Sequence, residues 1–162
     1  MDLMRGLYLL RIDGARKASS VGESVPGAFA FILRDPKDRP VEGWSKTGTI
    51  DRVRDPNSAE YEVRDPNSAE YEALLAGLAF ARERGIEYIA VFSDSRTAVN
   101  QVNNLWSSSA HLADYCERAK TALSEFKGWQ LSWVPRDWNK DADDLVGEAL
   151  NASEEQVIHA TD

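Results

Sequence analysis

The sequence is poor in the residues that hold small or secreted folds together. It has one cysteine, Cys116, so no internal disulfide can form. That suits a reducing, cytoplasmic setting. No apolar run is long enough to span a bilayer, so no membrane partner is expected. The first residues, Met-Asp-Leu-Met-Arg-Gly, carry an early acid and no signal-peptide core before a cleavage site. Positive charge is also short: 19 Lys and Arg face 27 Asp and Glu, a net charge of -8. Such a balance excludes a protein that grips nucleic acid by bulk charge. It does not exclude a nuclease, because carboxylates clustered around divalent cations lower the formal charge themselves. Acidity that merely keeps a protein in solution gives the same number.

At 162 residues and 43% hydrophobic content the chain can bury a core as one domain, expected over 1–150. The polar stretch 151–162 reads as a loose tail, and a monomer is expected. Residues 7–12 form an apolar strand with Tyr8, Leu10 and Ile12 on one face and Leu7 and Leu9 on the other. A strand apolar on both faces belongs in the middle of a sheet. It runs into Asp13-Gly14-Ala15, which reads as a closing turn. Residues 16–26, rich in Ser, Gly and Lys, read as a hairpin tip. Strands over 27–34 and 41–50 follow, the second polar enough for an edge, and the short joins imply an antiparallel meander.

A helix is expected to start at Asn67–Ser68 and to run to Arg84. Tyr71, Leu74, Leu75 and Leu78 follow the helical spacing, with Asn67 as N-cap, Glu70 three residues on, and Gly85 just past the end. Next come a strand at 86–92, helices at 95–105 and 110–126, and a strand at 129–134. Trp129 and Trp133 alternate on that last strand and read as core. A loop at 135–139 leads to a final helix at 140–150. The order β-β-β-α-β-α-α-β-α predicts an α/β fold with a mixed sheet and helices packed on it.

Four acids fall at element ends: Asp13, Glu70, Asp94 and Asp143. If the strands before Asp13 and Asp94 are parallel neighbours, both acids emerge on one sheet edge, where open α/β sheets form ligand sites. Carboxylates crowd together only when cations fill the gap, and all-oxygen ligands suit Mg²⁺ or Mn²⁺. Two such ions support phosphodiester hydrolysis. Two of these acids also have a plain reading, whereas Asp94, between two serines after an apolar strand, is less easily dismissed. Glu70 serves equally as a capping-box acid, and Asp143 as a first-turn acid facing the helix dipole.

The segments Arg-Ile-Asp13-Gly-Ala, Asn67-Ser-Ala-Glu70-Tyr, Phe-Ser-Asp94-Ser and Asn139-Lys-Asp-Ala-Asp143-Asp-Leu closely resemble the four motifs of prokaryotic type 1 ribonuclease H, in that family's order. The resemblance runs from Leu7 to about Leu150. It implies a ribonuclease H-like fold, a five-stranded mixed sheet in the order 3-2-1-4-5 with helices on both faces. It implies two-metal cleavage of the RNA strand of RNA/DNA hybrids, leaving 5′-phosphate and 3′-hydroxyl ends. Asp13, Glu70, Asp94 and Asp143 match its catalytic, metal-binding positions. Gly14, Ala15, Asn67, Ser95, Arg96, Trp106, Arg136 and Asn139 are the expected substrate-binding residues. Among them, Gly14 and Ala15 would bring backbone near the RNA strand. Trp106 has two readings, an aromatic against the DNA strand or a core residue, and Trp138 stays open between the same two.

The chain departs from the family pattern in three places. The loop Val134-Pro-Arg-Asp-Trp-Asn139 has no histidine where many members carry one, and His111 and His159 read as surface residues. Residues 103–113 contain no Lys or Arg where some members carry a basic handle. Residues 53–62 and 63–72 are an identical tandem repeat, Val-Arg-Asp-Pro-Asn-Ser-Ala-Glu-Tyr-Glu. Two rivals to a hybrid-cleaving enzyme follow: a binding module of the same fold that no longer cuts, and a same-fold nuclease with another nucleic-acid substrate.

The repeat offers two candidate glutamates, Glu60 and Glu70. Glu70 leads into the apolar stripe from Tyr71 to Leu78, whereas Glu60 leads into Val63-Arg64-Asp65-Pro66. A helix continuous from Ser58 would carry Pro66 in its interior at a cost of about 3 kcal/mol. The first copy is therefore expected to be an extruded loop. Glu70→Gln should eliminate metal-dependent hybrid cleavage and Glu60→Gln should leave it intact. The reverse pattern in a cleavage assay would assign the site to the first copy.

Overall fold

A ten-residue strand, β1 (Leu7–Arg16), takes the centre of the fold. It is flanked by β2 (Gly27–Arg34), which leads on to β3 (Pro40–Ile50), and by β4 (Tyr88–Ser93), which leads on to β5 (Gly128–Trp133). The sheet has five strands in the order β3-β2-β1-β4-β5. The helices are α1 (Pro66–Glu83), α2 (Arg96–Val102), α3 (Ala110–Ser124) and α4 (Lys140–Ala160). This is a computed structural model, and it describes residues 6–16, 27–50, 66–108 and 110–160. The first repeat copy with Glu60, and the hairpin tip at 17–26, lie outside the described residues.

β1 pairs antiparallel with β2 and parallel with β4, so the sheet is mixed. The alternation of Tyr8, Leu10 and Ile12 explains the choice: all three are buried in the larger core, with Tyr71, Leu74 and Leu78 of α1 and residues of α2 and α3. A smaller cluster of Ala28, Ala30 and Val146, with Leu145 and Leu150 beside it, seats α4 on the opposite face. Small residues at 28 and 30 let α4 lie close to β2. Leu7 stays 47% exposed, because helical cover does not reach that end of the second face. Among the described residues no helix is long and apolar enough to cross a membrane.

Five sequence expectations are corrected. β1 does not close in a turn at Asp13 and Gly14 but continues to Arg16, because Asp13 pairs with Ala30 and Gly14 with Phe29 across to β2. α1 begins at Pro66, so Asn67 lies inside its first turn and Glu70 is no capping-box acid. Proline suits a first helical position, where its missing N–H costs nothing and its fixed φ is already helical. The span 136–139, expected as loop, forms a 3₁₀ turn, and the tail after Asn151 continues α4 to Ala160. That tail contains no Gly or Pro to stop a helix. Trp129 and Trp133, expected in the core, are 40% and 38% exposed, while Leu131 between them is buried. They sit on an edge strand, and α2 packs against it from one side.

α1 ends as its sequence suggests. Gly85 adopts φ 75°, and the Ile86 N–H reaches back to the Ala81 carbonyl at 3.2 Å. Gly14 sets how closely the helix begins. A Cβ at position 14 would lie 2.3 Å from the Ala69 carbonyl carbon and 2.4 Å from the Glu70 nitrogen. The obstacle is backbone, which no side-chain rotation can clear. Gly14→Ala should therefore destabilise the protein by about 1–3 kcal/mol or more, measured by urea denaturation. Wild-type stability in that variant would contradict the close approach.

Candidate active site

The site forms where the sheet forks. The β1–β4 pairing ends at Arg11 and Phe92. β1 carries on beside β2 alone, while the chain after β4 turns away into α2. Asp13 and Asp94 each lie two residues beyond that last pair, on the same sheet edge. Glu70 arrives from the first turns of α1, over Gly14. Asp13, Glu70 and Asp94 offer carboxylate oxygens within 4.8 Å of one another. Asp143, in the first turn of α4, stands within hydrogen-bonding reach of the Asp13 carboxyl.

Glu70 is the most firmly seated. Its Oε2 accepts from the Gly14 backbone N–H at 2.7 Å, and its Oε1 accepts from the Ser93 hydroxyl at 2.6 Å. The Ser93 oxygen also accepts from the Ser95 N–H at 3.0 Å, which shapes the turn that carries Asp94. Ser95 Oγ caps α2, accepting from the Ala98 N–H at 3.2 Å, and donates to Asn67 Oδ1 at 3.0 Å. Asn139 is fully buried. Its Nδ2 donates to the Ile12 carbonyl at 2.8 Å, which fixes the entry to α4 against β1. Its Oδ1 is buried without a partner.

Burial and like charge govern the electrostatics. Burial, then Asp94 and Asp143, push the Asp13 carboxyl from its ordinary 3.8 up to about 8. Burial, then Asp13, hold Glu70 well above the usual carboxylate range. Burial also raises Asp94, partly offset by a hydrogen bond from Asn139. Arg136, on the open rim, pairs with Asp143 at 3.3 Å. Two buried acids and a half-buried third in one cluster are costly unless protons or cations neutralise them. An all-carboxylate donor set suits a hard divalent ion such as Mg²⁺ or Mn²⁺, so the residues fit that group.

The remaining predicted site residues divide by exposure. Trp106 is 51% and Trp138 71% exposed, so neither is a core residue. Arg96 is exposed with its guanidinium 4.2 Å from the centre of the Trp133 ring. Ala15 is half-buried beside α4, and the Gly14 N–H is taken up by Glu70 and Asp13. Asn139, expected to bind substrate, is fully buried and ties the entry of α4 to Ile12. His111 and His159 fall in α3 and α4. Sequence reasoning missed Ser93. Its signal was a serine directly before Asp94 at the end of an apolar strand, where a hydroxyl needs a buried partner.

Fold and site together define a ribonuclease H-like domain: a mixed sheet in this strand order, with acids gathered where the central strands part. The chain belongs to the reverse transcriptase-like family, whose model matches residues 13–149. Ribonuclease HI of Halobacterium salinarum is 36% identical over 143 residues, covering 87% of this chain and 65% of that protein. The crystal structure of RNase H1 from that archaeon matches with a TM-score of 0.74 at 30% identity, over 91% of this chain and 99% of that one. The N-terminal RNase H domain of Mycobacterium tuberculosis Rv2228c, solved as a fusion with maltose binding protein, matches with a TM-score of 0.71 at 25% identity, over 92% of this chain and 98% of that one. This chain spans only 25% of the curated full-length Rv2228c.

An acid whose pKa is higher folded than unfolded stabilises the fold below its unfolded pKa, and that stabilisation is lost as pH rises through the folded value. For Asp13 the window runs from about 3.8 to about 8. In EDTA, the melting temperature of the wild type should fall across this window, and the fall should be shallower in Asp13→Asn. Equal slopes would mean Asp13 is not held among like charges.

Proposed function

We propose that the protein is a divalent-metal-dependent endonuclease that hydrolyses the RNA strand of RNA/DNA hybrids, leaving 5′-phosphate and 3′-hydroxyl ends. The carrying observation is the cluster of Asp13, Glu70 and Asp94 within 4.8 Å. Family membership and the ribonuclease HI relative of Halobacterium salinarum support the substrate class. Asp13, Glu70 and Asp94, with Asp143 at the rim, would hold two Mg²⁺ or Mn²⁺ ions. Bound in pairs, such ions supply an activated water and charge stabilisation for the leaving oxygen.

The chain's own residues do the positioning. Gly14 and Ser93 orient both oxygens of Glu70. Asn139 fixes the strand end that presents Asp13. Arg136 brings a positive charge to the rim, where it attracts phosphate. It cannot shuttle a proton near neutral pH, so it replaces the absent loop histidine only in part. Asn67, Ser95, Arg96 and Trp106 would contact the substrate, with Gly14 and Ala15 bringing backbone near the RNA. A reducing cytoplasm agrees with Cys116, which is buried and in no disulfide. The rival reading, a module that binds without cutting, rests on the repeat beside Glu70. The seat of Glu70 between Gly14 and Ser93 counts against it.

Purified protein with Mg²⁺ or Mn²⁺ should cut the RNA of a labelled hybrid in preference to duplex RNA, duplex DNA and single strands. Asp13→Asn and Asp94→Asn should each abolish product while the metal-free melting temperature stays level or rises. Absence of any metal-dependent product from the wild type would overturn the proposal.

A further inference from the structure

Every other arginine whose side chain is described has an acidic partner. Arg11, Arg34, Arg39, Arg82, Arg84, Arg118 and Arg136 each lie within 4.0 Å of a carboxylate oxygen. Arg96 pairs with no carboxylate among the described residues. It rests instead on an aromatic face, its guanidinium carbon 4.2 Å from the Trp133 ring centroid. In a chain of net charge -8, an exposed arginine left without an acid two residues from Asp94 stands out. Trp133 is itself tied down: its indole N–H donates to the Asp94 carbonyl at 3.1 Å. One ring therefore holds the backbone of a cluster acid and the side chain of a free cation.

A guanidinium held over a ring face spends none of its N–H donors on carboxylates, and those donors match the geometry of a phosphate. Stacking also removes rotamer freedom before any ligand arrives, so less is lost on binding. The exposure of Trp133, unexpected for an aromatic on an apolar strand, is what leaves room for the arginine above it.

We propose that Arg96 and Trp133 form a preorganised phosphate receptor for the nucleic-acid strand that enters beside Asp94, with Arg96 touching the phosphate and Trp133 acting as its positioning residue. This rests on the nuclease reading and assigns the contact that an acidic protein needs next to its acids. A phosphate bound there is drawn to a site whose carboxylates would otherwise repel it.

The test is binding of a fluorescent RNA/DNA hybrid in EDTA, read by anisotropy across a salt series, so that no cleavage is needed. Arg96→Ala should weaken binding roughly tenfold, as for loss of one charge-assisted hydrogen bond. Its salt slope should fall by about one unit, as for one phosphate contact. Trp133→Leu removes no charge, yet it should weaken binding by a similar factor. In the Arg96→Ala background it should add little, because the two act as a unit. Trp133→Phe keeps a ring under the guanidinium and should retain most of the affinity, which separates positioning from loss of fold. Melting curves accompany each variant. If the wild type binds hybrid but Arg96→Ala leaves affinity and salt slope unchanged, or if the two effects add in full, the receptor is refuted while the nuclease reading stands. If the wild type binds no hybrid at any salt, the receptor is refuted, and the nuclease reading is decided separately by the metal-dependent cleavage assay.

Discussion

Two hydrogen bonds to one buried carboxylate hold the molecule's working parts in register. Glu70 receives the backbone N–H of Gly14 from β1 and the hydroxyl of Ser93 from β4. Through that carboxylate, α1 is pinned across the gap where the two central strands part. The close approach is possible only because position 14 has no side chain; the first turns of α1 occupy the space a Cβ would need. Asp13 and Asp94 face each other because their strands are parallel neighbours, and Glu70 closes the third side.

This arrangement costs stability. The protein buries acids together, and each raises the proton affinity of the others. Evolution of a stable fold alone would replace them with apolar residues, since buried charges without partners are a liability. The surrounding hydrogen bonds limit the cost and keep the oxygens fixed. The positive charge available to the site stays outside the cluster: Arg136 on the rim against Asp143, and Arg96 laid on Trp133. A chain that is acidic overall thus places its cations where a phosphate would arrive.

Much of this was legible in the sequence, for physical reasons. Tyr8, Leu10 and Ile12 alternate as a central strand must, and Tyr71, Leu74 and Leu78 repeat as a packed helix must. With the resemblance, those patterns fixed the strand order and brought the acids to one edge. What was hidden depended on neighbours distant in the chain. The extension of β1 through Asp13 comes from pairing with β2, which outweighs the turn preference of Asp-Gly. The start of α1 at Pro66 reflects a proline that serves as a first residue as readily as it stops a helix. Trp129 and Trp133 look like core by alternation, but their strand lies at the sheet's edge. Ser93 and Asn139 act through buried hydrogen bonds to residues far away in sequence, Glu70 and Ile12; the position of Ser93 signals that its hydroxyl needs a partner, but nothing local says which.

The central claim is that Asp13, Glu70 and Asp94 form a seat for divalent cations. The direct measurement is anomalous diffraction from a crystal of the full chain soaked in Mn²⁺. The account predicts manganese density between these three carboxylates, with Asp143 at its margin. A well-ordered site with no manganese among those oxygens, or manganese held only by acids elsewhere on the surface, would contradict it.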